Sequence, residues 1–109
     1  EMPVKTYNRA LRELQARLAR IKANYISTKD ETKSGKTLRV VLEEENHTIG
    51  NPIAYILNTF PEVEAAGYDM PHPLIESIVV EITAKTDASK AFIKALDHLH
   101  KMFGEMIQT

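Results

Sequence analysis

The sequence predicts one α+β domain in which a small sheet carries a short and a long helix on one face, preceded by an extra amino-terminal amphipathic helix. Three observations predict it. Two Val/Ile/Leu-rich runs, at 38–43 and 78–82, have the composition and spacing of strands. Three other segments place apolar residues at steps of three and four, the period of a helix face. These segments follow one another as helix, strand, short helix, strand, long helix. With 109 residues, 43% of them hydrophobic, the chain can bury one compact core and falls short of two.

From Tyr7, the residues Leu11, Leu14, Leu18, Ile21 and Tyr25 form one stripe, so residues about 4–25 are expected to be helical. The other faces carry Arg9, Arg12, Arg17, Arg20 and Lys22. Such a stripe needs a surface to cover it, in this chain or in another. Ser27 to Lys36 is polar, contains Ser34-Gly35 and reads as a linker, dividing a basic helical segment, 1–36, from a domain at 37–109. Charge divides in nearly the same place. Residues 1–39 hold ten Lys/Arg against four Asp/Glu, and residues 40–109 hold four against eleven. A basic segment of that kind meets nucleic acid or an acidic protein surface, or is simply solvated.

Leu38, Val40 and Leu42 alternate with mostly polar residues as in a half-buried strand, and Ile78-Val79-Val80-Glu81-Ile82 is expected to pair with it. Between them Ile53, Ile56, Leu57 and Phe60 recur at helical spacing. Asn51-Pro52 supplies a start signal, which predicts a short helix from about 52 to 60. Gly67, Pro71 and Pro73 are expected to keep the chain extended or turning around His72. Past Thr86-Asp87, a capping pair, Phe92, Leu96, Leu99, Phe103 and Met106 step by four, three, four and three along a long coiled-coil-like helix.

Residues able to carry chemistry are sparse. The chain has no cysteine, which removes disulfides, thiolate metal sites and cysteine nucleophiles and favours an intracellular setting. It has no apolar run long enough to span a bilayer and no signal-peptide core, so a soluble protein without membrane attachment is expected. His98 and His100 are two apart on a helix and point to different sides, while His47 and His72 have no second ligand at metal spacing. Ser27, Ser34, Ser77 and Ser89 sit in no nucleophile-elbow pattern, and Gly50 stands outside any phosphate-binding loop. Glu43-Glu44-Glu45 reads as a solvated charge run at a strand end. No catalytic residue, metal or cofactor is expected.

The specific signal is a series of short motifs in fixed order: HTIGNPIAYIL at 47–57, PEVE at 61–64, Gly67-Tyr68, and Pro71-His72-Pro73. Over residues about 38–108 this series resembles the smaller alpha-like subunit of eukaryotic and archaeal DNA-dependent RNA polymerases. The resemblance implies a non-catalytic assembly subunit that heterodimerises with the larger alpha-like subunit and builds the platform for the large catalytic subunits, meeting DNA only through the complex. It implies a nuclear location in a eukaryote and a cytoplasmic one otherwise. It assigns the dimer interface to the two domain helices, hence to Ile53, Ile56, Leu57, Phe60, Phe92, Leu96, Leu99, Phe103 and Met106.

By the same resemblance His47, Thr48, Gly50 and Asn51 form a strand-to-helix turn, with Thr48 or Asn51 capping the helix, and Tyr68, Pro71, His72 and Pro73 form a second marker segment. Pro52 and Ala54 depart from the aliphatic and basic residues common in that family, and the basic amino-terminal helix has no place in its pattern. The alternative reading is a self-associating binding module whose basic helix contacts nucleic acid, recognisable by binding that weakens steeply with salt.

Overall fold

The computed structural model describes residues 3–27 and 35–108. In chain order the elements are α1 (Val4–Ser27), β1 (Thr37–Glu43), α2 (His47–Thr59), β2 (Val63–Asp69), β3 (Ser77–Ala84) and α3 (Ala88–Met106). The α+β architecture is the expected one, with an additional strand. Most of the Ser27–Lys36 linker lies outside the described residues.

The sheet is antiparallel with order β1-β3-β2, so β3 is the central strand. The anticipated pairing of the two aliphatic runs is present, with Leu38 opposite Ile82, Val40 opposite Val80 and Leu42 opposite Ile78. These side chains share one face, which packs under α2 and α3. The other edge, β2, pairs with β3 through Ala66↔Ile82 and Tyr68↔Val80, with an irregularity between Val63 and Ala65. Composition alone does not announce this strand, because Ala65-Ala66-Gly67 has poor strand propensity. Tertiary pairing makes it. Asn58 of α2 then covers the outer edge: its side-chain oxygen accepts from the Ala66 N–H at 3.1 Å and its amide donates to the Ala66 carbonyl at 2.9 Å. An edge strand that would otherwise present free backbone groups is thereby occupied at its midpoint.

The short helix starts five residues earlier than expected. Glu44 takes a left-handed conformation (φ 61°), and Asn46, in extended conformation, caps α2 by accepting from the Thr48 N–H at 3.0 Å. Asn46 therefore holds the role anticipated for Thr48 or Asn51. Pro52 sits inside the helix. It cannot donate to the carbonyl four residues back, that of Thr48, an exposed residue of the first turn. The long helix begins as expected at Asp87, whose carboxylate accepts from the Lys90 N–H at 3.2 Å.

The core lies between the sheet and the helices and is built from Ile49, Ile53, Leu57, Ile78, Val80, Ile82, Phe92 and Leu96. Leu18, Ile21 and Tyr25 of α1 belong to the same core, because α1 packs along α3. The stripe of the first helix thus finds its cover within this chain.

Candidate dimerisation face and motif cluster

The residues of the HTIGN motif meet those of Gly67-Tyr68 because α2 packs on β2. Gly50 lies against the Tyr68 ring: a Cβ there would fall 2.7 to 2.9 Å from its Cδ2, Cε2 and Cγ atoms. No larger residue leaves the ring room in this position. The Tyr68 hydroxyl donates to Asn51 Oδ1 at 2.7 Å and lies 2.7 Å from His47 Nδ1. Since the hydroxyl has one proton, His47 Nδ1 is the donor in the second bond, which sets the imidazole tautomer. The His47 ring also meets the Tyr68 ring edge-on, with centroids 5.4 Å apart. Three neighbouring motif residues and the more distant Tyr68 thus form one bracket that locks the first turns of α2 to the edge strand. His47 Nδ1, the Tyr68 hydroxyl and Asn51 Oδ1 are engaged with one another, so these contacts hold the geometry of the turn.

Beside it lies a buried carboxylate that sequence reasoning placed in solvent. Glu45 is 1% exposed. Arg17 of α1 donates to its Oε1 from Nε at 3.0 Å and from Nη2 at 2.6 Å, and Arg20 reaches Oε2 at 3.3 Å. The left-handed turn at Glu44 sends Glu45 inward, and the two guanidinium groups compensate the charge it carries into the interior. Asn46 joins the cluster, donating to Glu76 at 3.2 Å and accepting from Arg17 at 3.4 Å. The signal that would have found this site is the i, i+3 pair of arginines on the first helix, which matches a single carboxylate.

In the chain by itself, most of the residues assigned to the dimer interface are covered by other parts of the fold. Ile53, Ile56, Leu57 and Phe60 of α2 are buried in this chain's own core, as are Phe92, Leu96 and Leu99 of α3. The physical reason is that α2 and α3 turn the apolar stripe toward the sheet and toward α1. Phe103 is half-buried, and Met106, at 43% exposure, is the one residue of the set that faces solvent in this chain. Pro71, His72 and Pro73 are exposed in the β2–β3 connection, followed by Leu74, which is 98% exposed, and Ile75. Thr48 is exposed at the start of α2.

Glu62 has its carboxyl held below the usual value, first by the hydrogen bond from Lys94 Nζ at 2.8 Å, the same ammonium that sits 4.3 Å from the centre of the Phe60 ring. Among the described residues no group of His, Asp and Glu is arranged to hold a metal ion, and no helix is long and apolar enough to cross a membrane.

Residues 37–109 match the family described as the RNA polymerase Rpb3/Rpb11 dimerisation domain. The chain is 34% identical over 84 residues to a probable DNA-directed RNA polymerases I and III subunit RPAC2 of Caenorhabditis briggsae, an alignment covering 75% of this chain and 58% of that protein. It is 32% identical over 74 residues to the corresponding RPAC2 of Saccharomyces cerevisiae, covering 66% of this chain and 52% of the relative. It is also 44% identical over 52 residues to DNA-directed RNA polymerase subunit Rpo11 of Korarchaeum cryptofilum, covering 48% of this chain and 53% of the relative. The chain thus spans little more than half the length of these relatives. With the match reaching from β1 through α3 and including the whole bracketed motif, the chain belongs to the RNA polymerase Rpb3/Rpb11 dimerisation-domain family.

Proposed function

We propose that this chain is a non-catalytic assembly subunit of a multisubunit DNA-dependent RNA polymerase, pairing with the larger alpha-like subunit to form the platform on which the catalytic subunits assemble. The observation that carries this reading is the coincidence of the dimerisation-domain match with a long helix, α3, that bears a continuous apolar stripe through Ala88, Phe92, Ala95, Leu96 and Leu99. Ile93 and Phe103 of the same helix pack against the core while remaining only partly buried. Pairing of this kind works by burial. Each large apolar side chain transferred from water contributes about 1.5–3 kcal/mol, enough in combination to hold a lasting heterodimer against the cost of association. In this reading the bracket of His47, Asn51 and Tyr68 shapes the platform, its hydrogen bonds fixing α2 on the edge strand. In a eukaryotic cell the complex acts in the nucleus and reaches DNA through its other chains.

The alternative, nucleic-acid binding by the basic first helix, loses much of its footing. Arg17 and Arg20 are engaged by Glu45 and Lys22 by Asp97 at 2.7 Å, which leaves Arg9 and Arg12 of the original five on the exposed side of α1.

The test is purification of the tagged chain from its native cells at high salt, with mass spectrometry of what stays bound. Recovery of a larger alpha-like subunit together with the large polymerase subunits is the expected result. Recovery of the chain alone, or with nucleic acid that is lost as salt rises, refutes the assembly role.

A further inference from the structure

We propose that α1 is an intramolecular stand-in for a helix of the dimerisation partner: it occupies an apolar face of α3 in the free chain and is displaced when the larger alpha-like subunit binds. The inference rests on the heterodimer reading above and adds a regulatory step to it.

Four observations carry it. First, α1 lies wholly outside the segment that matches the dimerisation domain, 37–109, yet it covers that segment with Leu11, Leu18, Ile21 and Tyr25, all buried. Second, the surface beneath α1 has the form of a seat for an amphipathic helix. Tyr25 meets the Phe92 ring edge-on at 5.0 Å, and Ile93 and Phe103 of α3 pack into the same core. Away from this seat the large exposed apolar residues of 37–108 are spread over different elements: Val41 on β1, Tyr55 on α2, Leu74 and Ile75 in the β2–β3 connection, Met102 and Met106 at the end of α3. A domain that dimerises through its helices therefore has its most continuous apolar face already taken.

Third, α1 is tied to its seat by polar contacts that water or another chain can replace. Lys22 pairs with Asp97 at 2.7 Å with both groups partly exposed, Tyr25 bonds Ser89 at 2.6 Å, and Gln15 donates to the His100 carbonyl at 2.9 Å. Asn8 exchanges two hydrogen bonds with the backbone of Gln108, at 2.6 and 2.9 Å. The Lys22 and Gln15 contacts are exposed and hold position more than they hold energy, whereas those of Tyr25 and Asn8 are partly buried. Fourth, α1 has no acidic residue in its first turn and no basic residue in its last, so neither end compensates the helix dipole and its persistence depends on the seat. Glu45 is the latch. Buried under Arg17 and Arg20 while α1 is seated, it returns to water when α1 leaves.

Because α1 is joined covalently to its seat, a partner must compete with a high effective concentration of it. The partner's apparent affinity is the intrinsic affinity reduced by the fraction of chains with the seat open. The experiment compares the intact chain with Arg17→Ala/Lys22→Ala, measuring calorimetric affinity for the purified larger alpha-like subunit and hydrogen exchange of residues 4–27 with and without it. The expected results are tighter binding by the variant, about tenfold for each tenfold rise in the open fraction, and faster exchange of α1 amides in the unmodified chain once the partner is bound.

Equal or weaker binding by a folded variant, or α1 amides that stay protected in the complex, overturns the proposal and makes α1 a permanent part of the fold. The exchange measurement needs no variant, so it decides the matter even if the substitutions unfold the chain. Loss of α1 protection that grows with the concentration of this chain alone assigns the displacing helix to a second copy and also overturns it. No binding by either form refutes the heterodimer reading itself, a result distinct from binding without displacement.

Discussion

Replacing Gly50 by Ala isolates the bracket from the rest of the fold. In a helix interior this change ordinarily stabilises by about 1 kcal/mol, because glycine loses more backbone freedom than alanine. Here the new Cβ meets three ring atoms of Tyr68 at 2.7 to 2.9 Å, closer than van der Waals contact allows. The ring is not free to withdraw, since its hydroxyl is held by Asn51 and His47 at 2.7 Å each. Overpacking of a fixed ring costs about 1–3 kcal/mol, and displacing it strains two hydrogen bonds worth about 0.5–1.5 kcal/mol each. Against the propensity gain, the net effect expected is a destabilisation of about 1–2 kcal/mol, seen as a lower urea midpoint at unchanged slope. In a domain of this size that lowers Tm by about 4–16 °C.

A double-mutant cycle makes the reasoning refutable. In a Tyr68→Ala background the obstacle is gone, so Gly50→Ala should revert to stabilising, by up to about 1 kcal/mol. If it costs as much there as in the parent chain, the conflict does not lie with Tyr68 and the bracket is wrongly described.

Asn46→Ala should cost about 1 kcal/mol or more in thermal or urea unfolding, since it removes the α2 cap and the bond to Glu76, whereas Thr48→Ala, at an exposed position, should change stability by less than about 0.5 kcal/mol; the reverse order would return the capping role to Thr48. Glu62 has a folded-state pKa below its unfolded one, chiefly through Lys94, so its contribution to stability is present above the ordinary glutamate pKa and is lost as pH falls through the lowered value. An NMR titration of its carboxyl should show the midpoint rise toward the ordinary value in Lys94→Met; an unmoved midpoint removes Lys94 as the cause.

Much of this protein is written in local pattern. The stripe from Tyr7 to Tyr25, the stripe from Phe92 to Met106 and the alternation at Leu38, Val40 and Leu42 each follow from the repeat of their element, and each element is present. The order of the HTIGN, PEVE, GY and PHP motifs pointed to the family before any contact was known, and the match over 37–109 agrees with it. The bracket was legible as a set of residues, although its geometry was not, because His47, Gly50 and Asn51 meet Tyr68 only once α2 lies on β2.

Tertiary structure decided what pattern leaves open. The β2 strand exists although Ala65, Ala66 and Gly67 have little strand propensity, because β3 offers a ladder on one side and Asn58 closes the other. The start of α2 moved to Asn46 because the turn at Glu44 brings that side chain onto the first free N–H groups. Above all, an apolar stripe states that a helix must be covered and not by what. Ile53, Leu57, Phe92 and Leu96 serve this chain's own core, and the first helix rests on α3, because burial of apolar surface is non-directional and goes to whichever neighbour the chain brings within reach. Direction came from the polar contacts, Arg17 with Glu45 and Lys22 with Asp97, whose partners are 28 and 75 residues apart in sequence and meet only in the folded chain.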